Sequence, residues 1–345
     1  MDTRSLRIGV NLGGWISQYP AYSHRHFETF ITVDDVKRIA DWGFDHIRLP
    51  LDYPVLEDDA KPGLYKESGF EYVESCVNWC RENGLRLILD LHKAPGYSFD
   101  ALDRSSLFGS SALQDRFLNL WQVMAKRFAD RLDDMLAFEI LNEVVLPESS
   151  SWNLLIKQVV TLIRRIDHGR LIIIGGNHYN APNELRNLEV LDDPNTLYTF
   201  HFYAPLTVTH QKAPWIRALA QYNQQVDYPG QAMGLEAFLK ANPEHCTWLG
   251  SEVGRRFDPR YLESVLRPAL DFAQRFGRPV YCGELGVYER APLATRLKWT
   301  RDVIALLSDN GVGFAVWTYK NLDFGLVDKD GQIVSQELIE IVSHR

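Results

Sequence analysis

The sequence predicts an α/β protein of the closed (β/α)8 class, a TIM barrel, with a small helical insertion after the sixth strand. Three observations carry this reading. Short apolar runs bounded by turn residues alternate with amphipathic stretches of helical period along the whole chain, in eight strand-then-helix units. No linker or low-complexity segment interrupts them, so 1–345 reads as one domain. The apolar runs also end, one after another, in polar or charged residues. An open doubly wound sheet gathers such residues at one switch point, whereas a barrel turns every strand's carboxyl end toward one mouth.

The first strand, 7–12, ends in Asn11-Leu12-Gly13-Gly14-Trp15, where two glycines let the chain turn beside a ring expected to be exposed. A helix over about 33–42 follows, with Thr32 or Asp34 available as its cap. Strand 44–49 carries Arg48 near its end and stops at Pro50. Helix 70–82 precedes strand 85–91, which runs out into Asp90-Leu91-His92-Lys93. An amphipathic stretch over about 114–131 leads to the run 135–141, bounded by Asp133-Asp134 and Pro147 and ending in Asn142-Glu143. That run is too short and too apolar for a surface helix, so it reads as a buried parallel strand. A helix near 152–166 feeds strand 171–174, broken at Gly175-Gly176-Asn177, and strand 196–202 is followed closely by Tyr203. Helix 261–276, strand 280–282 with Gly283-Glu284, helix 294–307, strand 314–317 and a closing helix over 336–342 complete the chain.

One interval breaks the rhythm. The stretch 204–258 is far longer than an ordinary connection and holds Trp215, Tyr222, Tyr228, Phe238 and Trp248. It reads as an inserted helical subdomain, and a loop that follows a barrel strand starts on the catalytic face. It is therefore expected to form one wall of the cleft.

Composition narrows the classes of partner. With 46% apolar residues there is material for one large core, and the formal charge of −8 comes from acids interspersed with Lys and Arg along the chain. Nucleic acid and anionic membrane surfaces are poor partners for such a chain. Cys76, Cys80, Cys246 and Cys282 have neither disulfide-framework nor zinc-site spacing and read as reduced, mostly buried thiols. No apolar signal segment precedes the first strand and no run is long enough to span a bilayer, so the chain as given is expected to be cytoplasmic, or secreted if a leader has been removed. A monomer is expected, with no cofactor and no metal.

The candidate site is the set of residues at strand ends: Arg48, His92, Asn142, Glu143, Asn177, His201, Tyr203, Glu284 and Trp317. Singly, each has a plain explanation: Arg48 as an ion-pair partner, His92 and His201 as satisfied core histidines, Trp317 as core. Packing alone does not require so many polar strand ends at once. Glu143 and Glu284 fall on the fourth and seventh strands, facing each other across one mouth. Cleaving an acetal requires a proton donor for the departing oxygen and a negative group facing the anomeric carbon, so two such carboxyls are the minimum equipment. A separation of about 5–5.5 Å would retain configuration through a covalent intermediate. Two other readings compete. His24-Arg25-His26 has ligand-like spacing, which would suit a metal-dependent barrel hydrolase, but the pair falls well beyond the first strand's tip. A catalytically silent carbohydrate-binding barrel would not need both acids.

Ile47-Arg48-Leu49-Pro50, Leu91-His92, Leu141-Asn142-Glu143, His201-Phe202-Tyr203, Gly283-Glu284 and Trp317 together resemble the family 5 glycoside hydrolases over the whole chain. Asn11 to Gln18 and the region around Thr209-His210-Gln211-Lys212 are similar to the compact endoglucanase C branch. The resemblance implies a retaining endo-β-1,4-glucanase acting on β-glucan polysaccharide or oligosaccharide, both cellulose-type and mixed-linkage β-1,3-1,4-glucan. A β-mannanase or an exo-β-1,3-glucanase on the same scaffold is the alternative. It further implies Glu143 as acid/base, Glu284 as nucleophile, Asn142 as the partner of the sugar 2-hydroxyl, Arg48 and Tyr203 beside the nucleophile, and His201 beside the acid. His92 and Trp317 would line the subsite of the cleaved sugar, with Asn177 and Lys320 as further hydroxyl contacts. Lys93 departs from the second histidine common in that branch, which bears on the neighbouring subsite.

Overall fold

The computed structural model describes residues 5–129 and 135–343. Eight parallel strands close on themselves in sequence order. They are β1 (Ile8–Asn11), β2 (His46–Asp52), β3 (Arg86–Lys93), β4 (Leu136–Glu139), β5 (Leu171–Gly175), β6 (Thr196–Phe202), β7 (Val280–Leu285) and β8 (Gly313–Val316). Long helices, among them Glu67–Glu82, Ser111–Phe128, Ser150–Ile166, Pro259–Phe276 and Leu293–Asp309, pack outside.

The two-residue period of a strand decides what faces the barrel axis. Along β2 and β3, Ile47, Leu49, Leu51, Leu87, Leu89 and Leu91 join the large apolar cluster between strands and helices. The alternate positions point inward. Low in the barrel these are Ile88, Ala137, Leu171, Ile173, Leu197, Tyr281 and Ala315, which fill the interior as a separate apolar plug. Two or four residues farther along the same inward lines stand Asp90, His92, Glu139 and His201, joined by Arg48 from the inward face of β2, all buried. The barrel therefore passes from an apolar plug to a polar cluster along its own axis.

Parity would turn Glu284 away from the mouth were β7 regular. It is not: the register shifts so that Phe200 pairs with Cys282 but His201 pairs with Glu284. Gly283 is the extra residue of this bulge, and a Cβ there would lie 2.8 Å from Thr199 Oγ1 and 3.2 Å from His201 Nε2. Glycine is what lets the strand shift by one and bring Glu284 beside His201.

Several expectations change in detail. The fourth strand ends at Glu139, so Asn142 and Glu143 lie past its tip. The end of the helix expected over 114–131, and Asp133-Asp134, lie outside the described residues. Thr32, not Asp34, caps Val33–Asp41, in a box whose Asp35 carboxylate accepts the Thr32 backbone N–H at 2.9 Å. Unit five has no long helix: the chain from β5 to β6 makes short turns at Asn177–Asn180 and Pro182–Asn187. Its four asparagines and Pro182 compete with helical bonding. Trp15 is not exposed but fully buried, donating its indole N–H to the Phe27 carbonyl at 2.7 Å and stacking on Trp79. Leu12 and Ile16 are buried with it, so the turn after β1 folds back over the core.

The stretch 204–258 forms short helices at Leu206–Thr209, Arg217–Tyr222, Leu235–Ala241 and Cys246–Leu249. Buried Glu252 ties its far end to its beginning, accepting the Leu206 and Thr207 backbone N–H groups at 2.6 and 3.1 Å. Among the described residues all four cysteines are free, and no helix is long and apolar enough to cross a membrane.

Candidate active site

The site is organised on one guanidinium. Arg48 is fully buried at the inward face of β2. Its Nε and Nη2 donate to the two oxygens of Glu139 at 2.8 and 2.9 Å, and Nη1 donates to Glu284 at 2.8 Å and to Asn11 Oδ1 at 2.9 Å. Nη2 also reaches Asn142 Oδ1 at 2.9 Å and Asp90 at 3.0 Å. Burial works against the cation, but Asp90, Glu139 and Glu284 outweigh it and keep Arg48 protonated. One positive charge facing three buried acids leaves the cluster acid-rich. Burial accordingly lifts Asp90 to about 7 and also raises Glu139.

Glu284 accepts from Tyr203 as well, whose hydroxyl donates at 2.9 Å. Glu143 has no such grip: its carboxyl meets His201, whose Nδ1 stands 2.8 Å from Oε1. Burial raises both carboxyls. For Glu143 the charge of Glu284 adds to burial and carries it well above the ordinary range, while Arg48 and Tyr203 oppose the rise at Glu284. Glu284 therefore ionises first and Glu143 holds its proton longer.

His201 is kept neutral, pushed well below the usual imidazole range by burial and then by Arg48. Asn180 Nδ2 lies 3.2 Å from Nε2 and can only donate, so the imidazole proton sits on Nδ1 and points at Glu143. Oxygens of Glu143 and Glu284 and a nitrogen of His201 converge within 4.8 Å, a spacing that could hold a cation. The imidazole presents a proton rather than a lone pair to that point, which disfavours a metal there. The other suggested pair is dispersed: His24 contacts the Tyr72 hydroxyl and His26 the Gly14 carbonyl.

His92 stacks on Trp317 at 5.5 Å with planes 5° apart, and its Nδ1 lies 2.6 Å from Asp90. Burial and Arg48 depress His92 to about 3, so it too is neutral. Gly13 makes room for the Trp317 ring, since a Cβ there would come within 2.8 Å of it. His92 Nε2 and Asn142 Nδ2 are buried without a partner among the described residues. Two unpartnered polar atoms at the mouth are where a ligand's hydroxyls would bind.

Arg48, His92, Asn142, Glu143, His201, Tyr203, Glu284 and Trp317 thus meet in one place. Two other expected contacts do not. Asn177 uses both amide atoms on Leu146, accepting its N–H at 2.8 Å and donating to its carbonyl at 2.9 Å. Lys320 donates to the Phe30 carbonyl at 2.9 Å and lies over the Phe30 ring. Lys93 pairs with Asp100 at 2.7 Å and stands 4.0 Å from Asp52. Glu139, Asp90 and Asn11 belong to the cluster and were not singled out from sequence. Counting by twos along β3 and β4 from the apolar plug would have found the first two.

A parallel barrel with two facing carboxyls of unequal proton affinity at its carboxyl-end mouth defines a barrel hydrolase of the two-carboxylate class. The family model for Cellulase (glycosyl hydrolase family 5) matches residues 10–323, and the chain belongs to that family. It is 46% identical over 341 residues to Endoglucanase C of Acetivibrio thermocellus, covering 99% of each chain, and equally to Endoglucanase C307 of Clostridium sp.. Cellodextrinase A of Ruminococcus flavefaciens is 34% identical over 315 residues, 90% of this chain and 85% of that protein. Among solved structures, endoglucanase Cel5A of Thermotoga maritima superposes with a TM-score of 0.78 at 26% identity, covering 99% of this chain and 98% of the other.

Proposed function

We propose that the protein is a retaining endo-β-1,4-glucanase, with Glu284 as nucleophile and Glu143 as general acid/base, cleaving cellulose-type and mixed-linkage β-glucans. The observation that carries this is the separation of the pair. One oxygen of each carboxyl lies within 4.8 Å of one oxygen of the other, which fits the about 5–5.5 Å between the groups of a retaining pair better than the about 6.5–9.5 Å that an inverting pair needs to seat a water. In the first step Glu284 attacks the anomeric carbon while Glu143 protonates the departing oxygen. In the second, water loses its proton to Glu143 as it displaces the sugar from Glu284, and configuration is retained.

The neighbours fit these roles. Arg48 and Tyr203 stabilise an ionised Glu284, and neutral His201 orients Glu143 without a contacting cation to strip its proton. Asn142 Nδ2 and His92 Nε2 are placed for hydroxyls of the cleaved sugar, beside the Trp317 ring. The insertion serves as a wall of the cleft, supported by His210 packing on Tyr203 at 5.0 Å and Trp248 on Tyr179 at 5.5 Å. One chain supplies both carboxyls and the residues around them, which supports a monomer as the functional unit. The relatives matched over most of the chain are named as two endoglucanases and a cellodextrinase, which supports glucan polymers and soluble oligosaccharides as substrates. Hydrolysis of carboxymethyl cellulose, lichenan, laminarin, mannan and cello-oligosaccharides tests the reading, with product sizes and the anomer first formed followed by NMR. Activity confined to laminarin or mannan, or an inverted first product, would overturn it.

A further inference from the structure

Glu143 has a φ of 44°, in the left-handed region that residues bearing a Cβ seldom occupy. A backbone held there requires neighbours that define it. Two loops meet the segment that follows. From the β5 side, the Asn177 amide brackets Leu146, and the Tyr179 N–H reaches the Val144 carbonyl at 3.3 Å. These contacts anchor the segment beyond the acid. From the β3 side comes Tyr97, nearly fully buried, in a turn closed by an antiparallel bridge to Ala94. Its hydroxyl donates to the Glu143 carbonyl at 2.8 Å and accepts the Val145 N–H at 2.8 Å. One oxygen thus joins the peptides on both sides of Val144, and it touches Glu143's own main chain.

We propose that Tyr97 is a positioning residue for the acid/base, its hydroxyl holding the Glu143 peptide in the left-handed conformation that aims the carboxyl at His201 and the scissile oxygen. This rests on the reading of Glu143 as acid/base. The Tyr97 ring packs edge-on against Phe108 at 5.7 Å, so removing only the oxygen leaves the packing in place. Without the bridge the Glu143 backbone relaxes toward a common conformation and its carboxyl leaves the line of proton transfer. Glu284, held by Arg48 and Tyr203 on the far side of the cleft, is untouched. The loss therefore falls on substrates whose leaving group needs a proton.

The test compares wild type, Tyr97→Phe and Glu143→Gln by kcat/KM on cellotetraose and on 2,4-dinitrophenyl β-cellobioside, whose phenolate departs unprotonated. Tyr97→Phe is expected to lose about 10- to 100-fold on cellotetraose, the effect of a misplacement of roughly 1 Å. On the aryl glycoside it is expected to stay within about threefold of wild type, the smaller penalty when no proton transfer is required. Retained activity on the aryl glycoside also shows that the barrel and Glu284 are intact. Equal losses on both substrates, or none on either, with Glu143→Gln still separating them, would overturn the positioning role alone. If Glu143→Gln itself fails to separate the substrates, the assignment of the acid falls and the proposal with it.

Discussion

The two carboxyls of the cleft are held in opposite ways. Glu284 sits within β7, and its side chain is gripped by a guanidinium and a phenol at 2.8 and 2.9 Å. Glu143 lies past the end of β4 in a left-handed conformation, with its backbone pinned by Tyr97 and its carboxyl meeting only a neutral imidazole. The contrast follows from the chemistry proposed for each. A nucleophile needs its charge stabilised, and direct donors to both oxygens do that. An acid must keep its proton, so its orientation has to come from somewhere other than cationic donors. Main-chain clamping supplies direction without lowering the proton affinity.

Removing the proposed nucleophile should have the largest effect. Glu284→Gln is expected to lose roughly 10⁵-fold or more in kcat on every substrate, activated or not, as measured by reducing-sugar release and by phenolate absorbance. Glu143→Gln should lose about 10²–10⁴-fold on cello-oligosaccharides. If both variants responded to leaving group alike, the contrast between the two sides would be broken.

The cluster beneath Glu284 is expected to show in stability. Glu139→Ala leaves Arg48 Nε without a partner in the interior while Asp90 and Glu284 still balance the charge, which should destabilise the fold by about 1–3 kcal/mol, read from the urea midpoint at constant m-value. An unchanged midpoint would mean that Asp90 and Asn11 suffice to hold the guanidinium.

Smaller effects sharpen the electrostatic side. Activity against pH should be bell-shaped, its acid limb following the ionisation of Glu284 and its alkaline limb the loss of the Glu143 proton. The Tyr203 hydroxyl favours ionised Glu284, so Tyr203→Phe raises that carboxyl and should move the acid limb to higher pH by about one unit, the size of one hydrogen bond to a charge. The alkaline limb should stay nearly in place. The least change is expected from Lys320→Met, whose ammonium serves the Phe30 carbonyl: KM on cello-oligosaccharides should stay within about twofold, as for a position outside the contact set.

The eight strands and the polar residues that end them were legible in the sequence because both are local: apolar runs of strand length and residues adjacent to their ends. Arg48, His92 and His201 could be placed at one mouth from chain order and barrel topology alone, whereas Glu284 faces it only through the bulge at Gly283. Asn177 and Lys320 sit at equally suggestive positions, yet their side chains turn to nearby backbone, and no spacing rule distinguishes a ligand contact from a loop anchor. The burial of Trp15 is not legible locally, because the glycines before it indicate a turn without indicating which way it folds. Glu139 was passed over as one acid in an apolar run.

The order of residues along the chain by itself determined the barrel, the two acids and their opposite strands, since these depend on periodicity and on the rule that parallel strands share a direction. Only the tertiary structure decided which acid holds its proton. That depends on distances of about 3 Å, the range of a hydrogen bond, between residues such as Arg48 and Glu284 or Tyr203 and Glu284 that are remote in sequence. It depends too on one bulge at Gly283, without which the seventh strand would turn its carboxylate away from the cleft.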